Sequence, residues 1–362
     1  MKIRSWLSSP LLVLALGVFG LALSGSASAV TASVACPGHA AGSGLFTLEH
    51  DNIQRTYRVL VPKAAGTPLP LVLVFHGWGG DENEFLRDEK LAALSQERGF
   101  LIAAPRGLGS GGEDKSLNSW SFSGSTTGLD ADGVNEEVAG DTAAICDDAR
   151  TPDYSYPSCA QTKSNSCSWT HCQANDADFT LKLIGELSAA YCIDLDNVFV
   201  VGGSNGGMFA WELAQSAASA PLIRAFAPII GLPHRGYLNP PGAASPMPVL
   251  LITGQEDNAV PPGEWEDTRY TTTSNDSDRY FYTGASAIMQ TWSKAHGCSV
   301  DEPAVPLKTP YPHADCRTYC SQDATFPKVL DCRAPMGHDY GLSWSWELIL
   351  DFFETHSAGD PE

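Results

Sequence analysis

The sequence predicts an α/β fold in which a mostly parallel central sheet is flanked by helices. The prediction rests on the alternation of two kinds of segment along the chain. Continuously apolar runs, which are typical of strands buried on both faces, occupy residues 68–75, 100–104, 198–201, 223–230, 249–252 and 328–332. Helical segments occupy residues 83–98, 176–192, 206–218, 284–296 and 343–355. Because crossovers between parallel strands are right-handed, this alternation places helices on both faces of one sheet.

Three other segments complete the predicted organisation. Residues 45–61 have the pattern of an antiparallel strand pair with a turn near Asp51 and Asn52. Residues 107–175 are rich in Gly, Ser, Asp, Pro and Cys and show little periodicity, which is typical of a lid or binding loop. Residues 300–327 contain five prolines and two cysteines and are predicted to be a second, smaller loop excursion. The alternation is therefore interrupted twice.

The first 29 residues have the features of a secretory signal peptide. Two basic residues precede an apolar run from Leu11 to Leu23, and Ala27-Ser28-Ala29 provides a small-x-small cleavage site. The alternative, a retained membrane anchor, is disfavoured because the run is short and ends in Ser, Gly and Ala. We therefore expect a secreted, extracellular or periplasmic protein whose residues 30–362 form a single domain.

Composition limits the classes of partner. The chain has 22 Lys and Arg residues against 42 Asp and Glu residues, and its formal net charge is −20. Such an acidic chain is not expected to bind nucleic acid or anionic membranes. No other apolar stretch is long enough to span a bilayer, so no membrane association is expected after removal of the signal. The sequence leaves the oligomeric state open.

The ten cysteines all lie after the predicted cleavage site, which favours up to five disulfides in an exported protein. Their pairing cannot be deduced from sequence, but proximity suggests Cys167 with Cys172 and Cys298 with Cys316 or Cys332. A metal site is the alternative, because His171 lies inside the Cys167–Cys172 spacing and His313 lies near Cys316 and Cys320. The spacings match no zinc pattern, so disulfides are favoured.

One stretch suggests a catalytic nucleophile. The apolar run Val198–Val201 leads into Gly202-Gly203-Ser204-Asn205-Gly206, and a helical segment follows. Gly-x-Ser-x-Gly between a strand and a helix is the context of a nucleophile elbow, where small neighbours let the strand and the helix approach closely. The alternative is a glycine-rich turn whose serine only caps the helix. The strand and helix on either side favour the nucleophile.

A serine nucleophile needs a histidine base and a carboxylate that orients the histidine. In the α/β-hydrolase arrangement these follow the serine in the order acid, then histidine. Asp257 lies in the loop after the 249–252 strand, with Glu256 as the adjacent competitor, and His338 lies between the last strand and the last helix. Asp257 could instead be a turn former and His338 an exposed loop residue. Their order favours acid and base.

An oxyanion site is predicted in the loop His76-Gly77-Trp78-Gly79-Gly80, which follows a buried strand. Its glycines would let backbone N–H groups turn towards a substrate oxygen. The expected donors are the N–H groups of Trp78 and Asn205, with His76 structural. The alternative is an ordinary glycine-rich turn.

A calcium loop is a weaker possibility in residues 130–136, where three acidic side chains and Asn135 are clustered. The spacing fails the EF-hand pattern at Val134 and Asn135, so a solvated acidic turn is favoured. No cofactor is expected.

Together these segments resemble the secreted polyhydroxybutyrate depolymerase and feruloyl esterase families of α/β-hydrolases. The resemblance covers about residues 45–356 outside the insertion. It rests on His76–Gly80, Asp178-Phe179 ahead of Tyr191-Cys192-Ile193-Asp194, Val198–Met208, Thr253–Pro261 and Gly337-His338.

The resemblance implies a single α/β-hydrolase catalytic domain that hydrolyses carboxylic esters. It implies Ser204 as nucleophile, His338 as base and Asp257 as acid. Two departures stand out. The insertion at 107–175 is longer and richer in cysteine than expected, and Asp339-Tyr340-Gly341 replaces the Trp-Pro that often follows the histidine.

The expected substrate is a small or polymeric ester, and the insertion is expected to form one wall of the pocket above Ser204. Aromatic side chains could line this pocket, although most tryptophans are expected to lie in the core. The candidates are Trp78, Trp120, Trp169, Trp211, Trp265, Trp344 and Trp346. Two other functions stay open: a prolyl-oligopeptidase-like peptidase, for which no propeller segment is visible, and an esterase-like binding protein without catalysis.

Overall fold

The strands of the sheet are short and mostly apolar. A computed structural model of the chain describes residues 42–63, 68–109, 117–125, 145–147, 150–151, 154, 156–159, 168–236, 246–268, 270–272, 279–308, 310–320 and 326–359. The strands are β1 (Gly44–His50), β2 (Ile53–Leu60), β3 (Leu69–Phe75), β4 (Leu101–Pro105), β5 (Ile193–Gly203), β6 (Ala225–Ile229), β7 (Val249–Gly254), β8 (Tyr270–Thr272), β9 (Phe281–Thr283), β10 (Val305–Pro306), β11 (Asp315–Thr318) and β12 (Val329–Ala334). The helices are α1 (Glu89–Arg98), α2 (Asp176–Ala190), α3 (Asn205–Gln215), α4 (Ala285–Ala295) and α5 (Leu342–Thr355). Short 3₁₀ turns occur at Pro157–Cys159 and Ala220–Leu222.

Ten strands form one sheet in the order β1-β2-β4-β3-β5-β6-β7-β12-β11-β10. The six central strands, from β4 to β12, run parallel, and the outer strands pair antiparallel at both edges. The predicted α/β-hydrolase fold with a mostly parallel sheet is thereby confirmed. Because parallel strands end at the same edge, the loops after β3, β5, β7 and β12 lie side by side.

Side chains of β3 alternate between two hydrophobic cores. Leu71 and Leu73 pack with α2, α3 and α4, whereas Val72 and Val74 pack with α1 and α5. Both faces of β3 are therefore covered, which explains why this strand is continuously apolar in the sequence.

The N-terminal hairpin agrees with its prediction. β1 and β2 pair without interruption, from Gly44 opposite Val59 to His50 opposite Ile53. The two turn residues, Asp51 and Asn52, have φ values of 52° and 61°. Two consecutive left-handed residues match the twist of a tight hairpin, and Asp and Asn tolerate this conformation.

The predicted helix at 83–98 is too long at its start. The chain makes turns until Asp88, whose side chain caps α1 by accepting from the N–H of Lys90 at 2.9 Å. Before it, Asp81 accepts from the N–H of Asn83 at 2.9 Å. Such side-chain acceptors compete with helical hydrogen bonds, so the helix begins only at Glu89.

The 300–327 stretch is not only a loop. It contains two strands that extend the sheet. β11 pairs antiparallel with β12, and β10 pairs antiparallel with β11. These strands were not predicted, because they are short and prolines lie in and around them. The pair β8 and β9, between β7 and α4, was also not predicted, because its members have three residues each.

Three disulfides join described cysteines, and both guesses from proximity are wrong. Cys172 pairs with Cys159 inside the insertion, which agrees with a disulfide-bearing insertion. Cys298 pairs with Cys320, and Cys316 pairs with Cys332 across neighbouring strands β11 and β12. Strand register, which sequence spacing does not reveal, brings Cys316 opposite Cys332. Cys146 and Cys192 are also disulfide-bonded.

Several predictions concern residues outside the described ranges. These are the signal peptide at 1–29, the acidic turn at 130–136 and much of the insertion. The described residues all belong to one compact unit, Ala32–Glu362. Among them, no helix is long and apolar enough to cross a membrane.

Candidate active site

Ser204 occupies a sharp turn between β5 and α3. Its φ and ψ are 51° and −117°, a conformation that costs a non-glycine residue free energy and that is typical of strained functional turns. Its N–H donates to the carbonyl oxygen of Ile229 at 2.8 Å, and its carbonyl oxygen accepts from Met208 at 2.9 Å. The neighbouring strand and the first turn of the helix therefore hold the serine in place.

The flanking glycines permit close backbone contacts. A Cβ atom at Gly202 would lie 2.0 Å from the carbonyl oxygen of Gly206, and one at Gly206 would lie 2.1 Å from that of Phe75. Any side chain at either position would push β5, β3 and α3 apart. This is the crowding predicted from Gly-x-Ser-x-Gly.

His338 and Asp257 form a continuous hydrogen-bonded chain with the serine. His338 Nε2 lies 2.9 Å from Ser204 Oγ, and His338 Nδ1 lies 2.8 Å from Asp257 Oδ2. In the neutral imidazole, Nδ1–H donates to Asp257 and Nε2 accepts the hydroxyl proton of Ser204. The structure therefore brings these three predicted residues together, from the loops after β5, β7 and β12.

The acid is buried and fixed, whereas the base is accessible. Asp257 is 2% exposed, and its Oδ1 accepts from the N–H groups of Ala259 and Val260 at 2.8 and 2.9 Å. The His338 side chain is 34% exposed. The adjacent Glu256 is exposed, so the carboxylate that meets His338 is that of Asp257. A rigid acid beneath an accessible imidazole can orient a general base.

The other described histidines have partners elsewhere. His234 accepts from Trp169 Nε1 at 2.9 Å, and burial lowers the pKa of His234 to about 4. His171 contacts Asp176 at 2.7 Å, and the ring of His313 stacks on that of Trp344. His356 packs edge-on against Phe352 at the end of α5. None of these four contacts is with Ser204.

The His76–Gly80 loop passes directly beside the serine. A Cβ atom at Gly77 would lie 3.4 Å from Ser204 Cβ, so the space between the Gly77 backbone and Ser204 has room for little more than one methyl group. The next peptide carries the Trp78 N–H, which donates to no described residue. Asn205 is the first residue of α3, where an N–H has no acceptor within the helix. Both predicted oxyanion donors thus flank Ser204 with N–H groups free of intrahelical or loop partners.

Buried contacts hold this loop in shape. Burial lowers the pKa of His76, which keeps the ring neutral, and its Nε2 accepts from the N–H of Gly107 at 2.8 Å. The Trp120 indole donates to the His76 carbonyl oxygen at 3.0 Å. The Asn205 side chain exchanges two hydrogen bonds with the Trp120 backbone, at 2.7 and 3.1 Å. The predicted structural role of His76 fits these contacts.

The insertion contacts the same loop. Gly79 donates to the Asn118 carbonyl oxygen at 2.7 Å, and the Asn118 amide donates to Gly80 at 2.9 Å. The Trp78 indole N–H donates to the Tyr156 hydroxyl at 2.8 Å and to the Trp169 carbonyl oxygen at 3.1 Å. The described part of the insertion therefore fixes the orientation of the Trp78 ring.

Of the seven candidate tryptophans, Trp78 alone is exposed at the surface. Its exposed fraction is 36%, and its ring meets Tyr154 edge-on with centroids 5.3 Å apart. Trp265 is half-buried under the guanidinium groups of Arg317 and Arg333. The others lie in the core, as expected for most of them: Trp120, Trp169, Trp211, Trp344 and Trp346.

A buried ionic cluster that sequence reasoning missed anchors the insertion. Asp176 pairs with Arg55 and His171 at 2.7 Å each and accepts from the Ser121 N–H at 2.7 Å. Burial by itself would raise the pKa of Asp176, but Arg55 and His171 lower it to about 2. The cluster joins the hairpin, the insertion and α2, which are remote in sequence, so only tertiary structure reveals it.

The described residues contain no group of three or more His, Cys, Asp or Glu side chains arranged to hold a metal ion. The cysteines considered as ligands, Cys172, Cys316 and Cys320, are all in disulfides.

Comparisons with known proteins bear on the reaction class and on the fold. No protein-family profile matches the chain. Over 212 residues the chain is 29% identical to a protein described as "Putative esterase NocK" from Nocardia uniformis subsp. tsuyamanensis, which covers 57% of this chain and 46% of that protein. The chain thus spans less than half the length of this relative.

Solved structures share the fold. An acetyl xylan esterase from Aspergillus awamori is 13% identical, with a TM-score of 0.50, over 86% of this chain and 99% of that chain. The native form of a protein named pOPH is 16% identical, with a TM-score of 0.47, over 90% of this chain and 91% of that chain. The similarity to the acetyl xylan esterase structure shows that the chain has the α/β-hydrolase fold, as its sequence pattern predicted.

Proposed function

We propose that the protein is a carboxylic ester hydrolase that uses Ser204, His338 and Asp257 in an acyl-enzyme mechanism. The observation that carries the proposal is the unbroken chain of contacts from Asp257 Oδ2 through both nitrogens of His338 to Ser204 Oγ. An esterase-like binding protein would not need these hydrogen-bonded contacts. The similarity to a protein described as an esterase supports the same reaction class.

In the first half-reaction, Ser204 Oγ attacks the ester carbonyl carbon while His338 Nε2 takes the hydroxyl proton. Asp257 holds the imidazole in the required tautomer and stabilises the imidazolium that forms. The carbonyl oxygen becomes an oxyanion, for which the N–H groups of Trp78 and Asn205 are the donors. Collapse of this intermediate expels the alcohol, which receives the proton from His338, and leaves an acyl group on Ser204.

In the second half-reaction, water takes the place of the alcohol. His338 removes a proton from water as the water oxygen attacks the acyl carbon. The resulting intermediate collapses, His338 returns the proton to Ser204 Oγ, and the carboxylic acid leaves. All the steps use residues of this chain and water.

The substrate is proposed to be an ester of the kinds cleaved by feruloyl esterases or polyhydroxyalkanoate depolymerases. The Trp78 ring supports this range, because it is exposed, held in a fixed orientation and one residue from Gly77, where an added Cβ atom would contact Ser204. Such a ring can stack on an aromatic acyl group or pack against an apolar polyester chain. Secretion is part of the proposal and rests on the signal-like segment at 1–29.

Ser204→Ala is expected to abolish hydrolysis of p-nitrophenyl acetate or butyrate, because the attacking oxygen is removed while the fold remains. Turnover by the purified mature protein and labelling by a fluorophosphonate probe are measured for both forms. Turnover retained by the folded variant would refute the assignment of Ser204. Absence of both turnover and labelling in the wild type would favour a binding protein.

The same assay sorts the substrates. Methyl ferulate, short p-nitrophenyl esters and hydroxybutyrate oligomers are compared by kcat/KM, and a peptide substrate with proline tests the peptidase alternative. A higher kcat/KM for methyl ferulate would indicate a feruloyl esterase, and a higher kcat/KM for the hydroxybutyrate oligomer would indicate a depolymerase. Cleavage of the peptide above all esters would favour the peptidase.

A further inference from the structure

Glu84 lies where two loops of the active site meet. Its Oε1 accepts hydrogen bonds from the N–H of Gly77 at 3.0 Å and from the hydroxyl of Tyr340 at 2.7 Å. Gly77 belongs to the loop with the Trp78 donor, and Tyr340 follows His338 by two residues. One carboxylate oxygen thus links the oxyanion side of the site to the histidine side.

Tyr340 fills the space that two glycines leave open. A Cβ atom at Gly77 would lie 2.2 Å from the Tyr340 hydroxyl oxygen, and one at Gly203 would lie 2.5 Å from its ring. Gly203 directly precedes Ser204, so the phenol packs against the elbow and against the oxyanion loop at once. Phe85 supports the far side of the ring, with centroids 5.1 Å apart.

The Tyr340 hydroxyl stays a donor throughout the working pH range. Burial and the adjacent carboxylate of Glu84 raise the pKa of Tyr340 well above its ordinary value. The loop around it is also fixed, because Asp339 accepts from the Gly341 N–H at 2.7 Å and donates its own N–H to Gly337 at 2.9 Å. The Glu84–Tyr340 contact is therefore a permanent connection between ordered loops.

A carboxylate at this place is at odds with stabilisation of an oxyanion nearby. Its negative charge opposes the charge that develops on the substrate oxygen, so its benefit must come through the hydrogen bonds it accepts. The N–H of Gly77 sets the plane of the 76–77 peptide. That plane, with the torsion angles at Gly77, determines where the Trp78 N–H points.

We propose that Glu84 is a positioning residue that aims the Trp78 N–H at the oxyanion by holding Gly77 and Tyr340 together. The inference rests on the proposed ester hydrolysis. It also gives Tyr340 a role, in the segment that differs from the Trp-Pro of the families this sequence resembles. Glu84 acts through Gly77 and touches no reacting atom.

The test compares Glu84→Ala with Glu84→Gln. Glutamine keeps an Oε1 that can accept both hydrogen bonds, whereas alanine removes them. Because misplacing a catalytic group by about 1 Å costs up to about 10²-fold, Glu84→Ala is expected to lower kcat by about 10²-fold. Its KM should stay within about 3-fold, because the lost interaction operates mainly in the transition state. Glu84→Gln should keep kcat within about 3-fold, since both hydrogen bonds survive.

A trifluoromethyl ketone that forms a tetrahedral oxyanion adduct with serine separates positioning from stability. In Glu84→Ala its affinity should fall by the same factor as kcat, because both depend on the oxyanion donors. Glu82→Gln is the matched control: this nearby buried acid pairs with Arg106, so its loss should lower the melting temperature and leave kcat unchanged. If Glu84→Ala does not fold, Tyr340→Phe carries the test, with an expected fall in kcat of about 10-fold.

Three results would overturn the inference: a folded Glu84→Ala with wild-type kcat, an unchanged inhibitor affinity despite lower kcat, or equal losses in Glu84→Gln and Glu84→Ala. If Glu84→Ala does not fold, wild-type kcat in Tyr340→Phe would overturn it. Failure of the proposed function looks different, because the wild type itself would then lack Ser204-dependent turnover, and the inference would fall with it.

Discussion

Two cysteine-bearing excursions leave the central sheet, and they do different things. The insertion at 107–175 reaches the loop beside Ser204 through Asn118, Tyr156 and Trp169. The 300–327 excursion instead adds β10 and β11 to the edge of the sheet. Both are irregular, with prolines and cysteines, in the sequence. They differ in the part of the sheet that they contact. The first contacts the loop after β3, and the second adds strands beside β12.

Two buried aspartates near the neighbouring strands β7 and β12 also differ in what they contact. Asp257 lies in the loop after β7 and orients His338, whereas Asp331 lies within β12 and binds Arg333 at 2.9 Å. They are 2% and 4% exposed. Similar burial therefore accompanies different contacts: Asp257 meets the proposed catalytic histidine, whereas Asp331 pairs with an arginine of its own strand.

The largest expected effect is the loss of activity when Asp257, and not Asp331, is replaced. Asp257→Asn should lower kcat by about 10⁴-fold, because the amide N–H₂ would face His338 Nδ1 and favour the wrong tautomer. Its Oδ1 can still accept from Ala259 and Val260, so the loop should keep its shape. Asp331→Asn should leave kcat within about 2-fold, because Asp331 pairs with Arg333 and not with His338. Steady-state kinetics measure both variants. A comparable loss of kcat in the two variants would contradict the division.

A smaller effect compares the two excursions through their disulfides. Replacing both cysteines of Cys159–Cys172, or both of Cys298–Cys320, by serine should cost about 3 kcal/mol of stability each, the amount expected for disulfides that close loops with sequence separations of 13 and 22. Only the first pair adjoins the contacts of Tyr156 and Trp169 with Trp78. Its loss should lower kcat/KM by about 10-fold in the folded protein, because the site wall loosens. Kinetics well below each melting temperature test this. Equal activity in both variants would show that the wall does not depend on its disulfide.

The smallest effect is a pH dependence of stability. The pKa of Asp176 is lowered to about 2 in the folded protein, against an ordinary value of about 3.9, so folding favours its ionised form. Its contribution, about 2 kcal/mol, is complete above about pH 5 and is lost progressively as pH falls towards about 1. Melting temperatures between pH 5 and 2 should therefore fall less steeply in Asp176→Asn than in the wild type. Parallel curves would mean that the Arg55–Asp176 pair does not anchor the insertion.

Asp331, in β12, provides the internal comparison for that measurement. Burial raises the pKa of Asp331, although Arg333 counteracts this. A raised pKa in the folded state means that acid protonates the native form first, so this group gives no loss of stability on acidification. Acid weakening should thus originate on the insertion side, where Asp176 lies.

Much of the fold and most of the candidate site could be predicted from local pattern. Strand β3 and the Val198–Val201 part of β5 are continuously apolar because both faces are covered, and Gly202 and Gly206 are required by backbone contacts within one turn. The order of Ser204, Asp257 and His338 follows from three loops at one edge of a parallel sheet. These features depend on short stretches of sequence or on one rule of topology. The short strands β8 to β11 could not be found, because two to four residues carry no reliable period.

The sequence by itself determined the strand–helix alternation, the elbow around Ser204 and the candidates Asp257, His338, Trp78 and Asn205. Only the tertiary structure decided how Cys159, Cys172, Cys316 and Cys332 pair, which tryptophan stays exposed, and that Glu84 meets Tyr340. The physical reason is range. Periodicity and turn chemistry act between neighbours in the chain, whereas Glu84 and Tyr340 are 256 residues apart and meet only when β3 and β12 end at the same edge of the sheet.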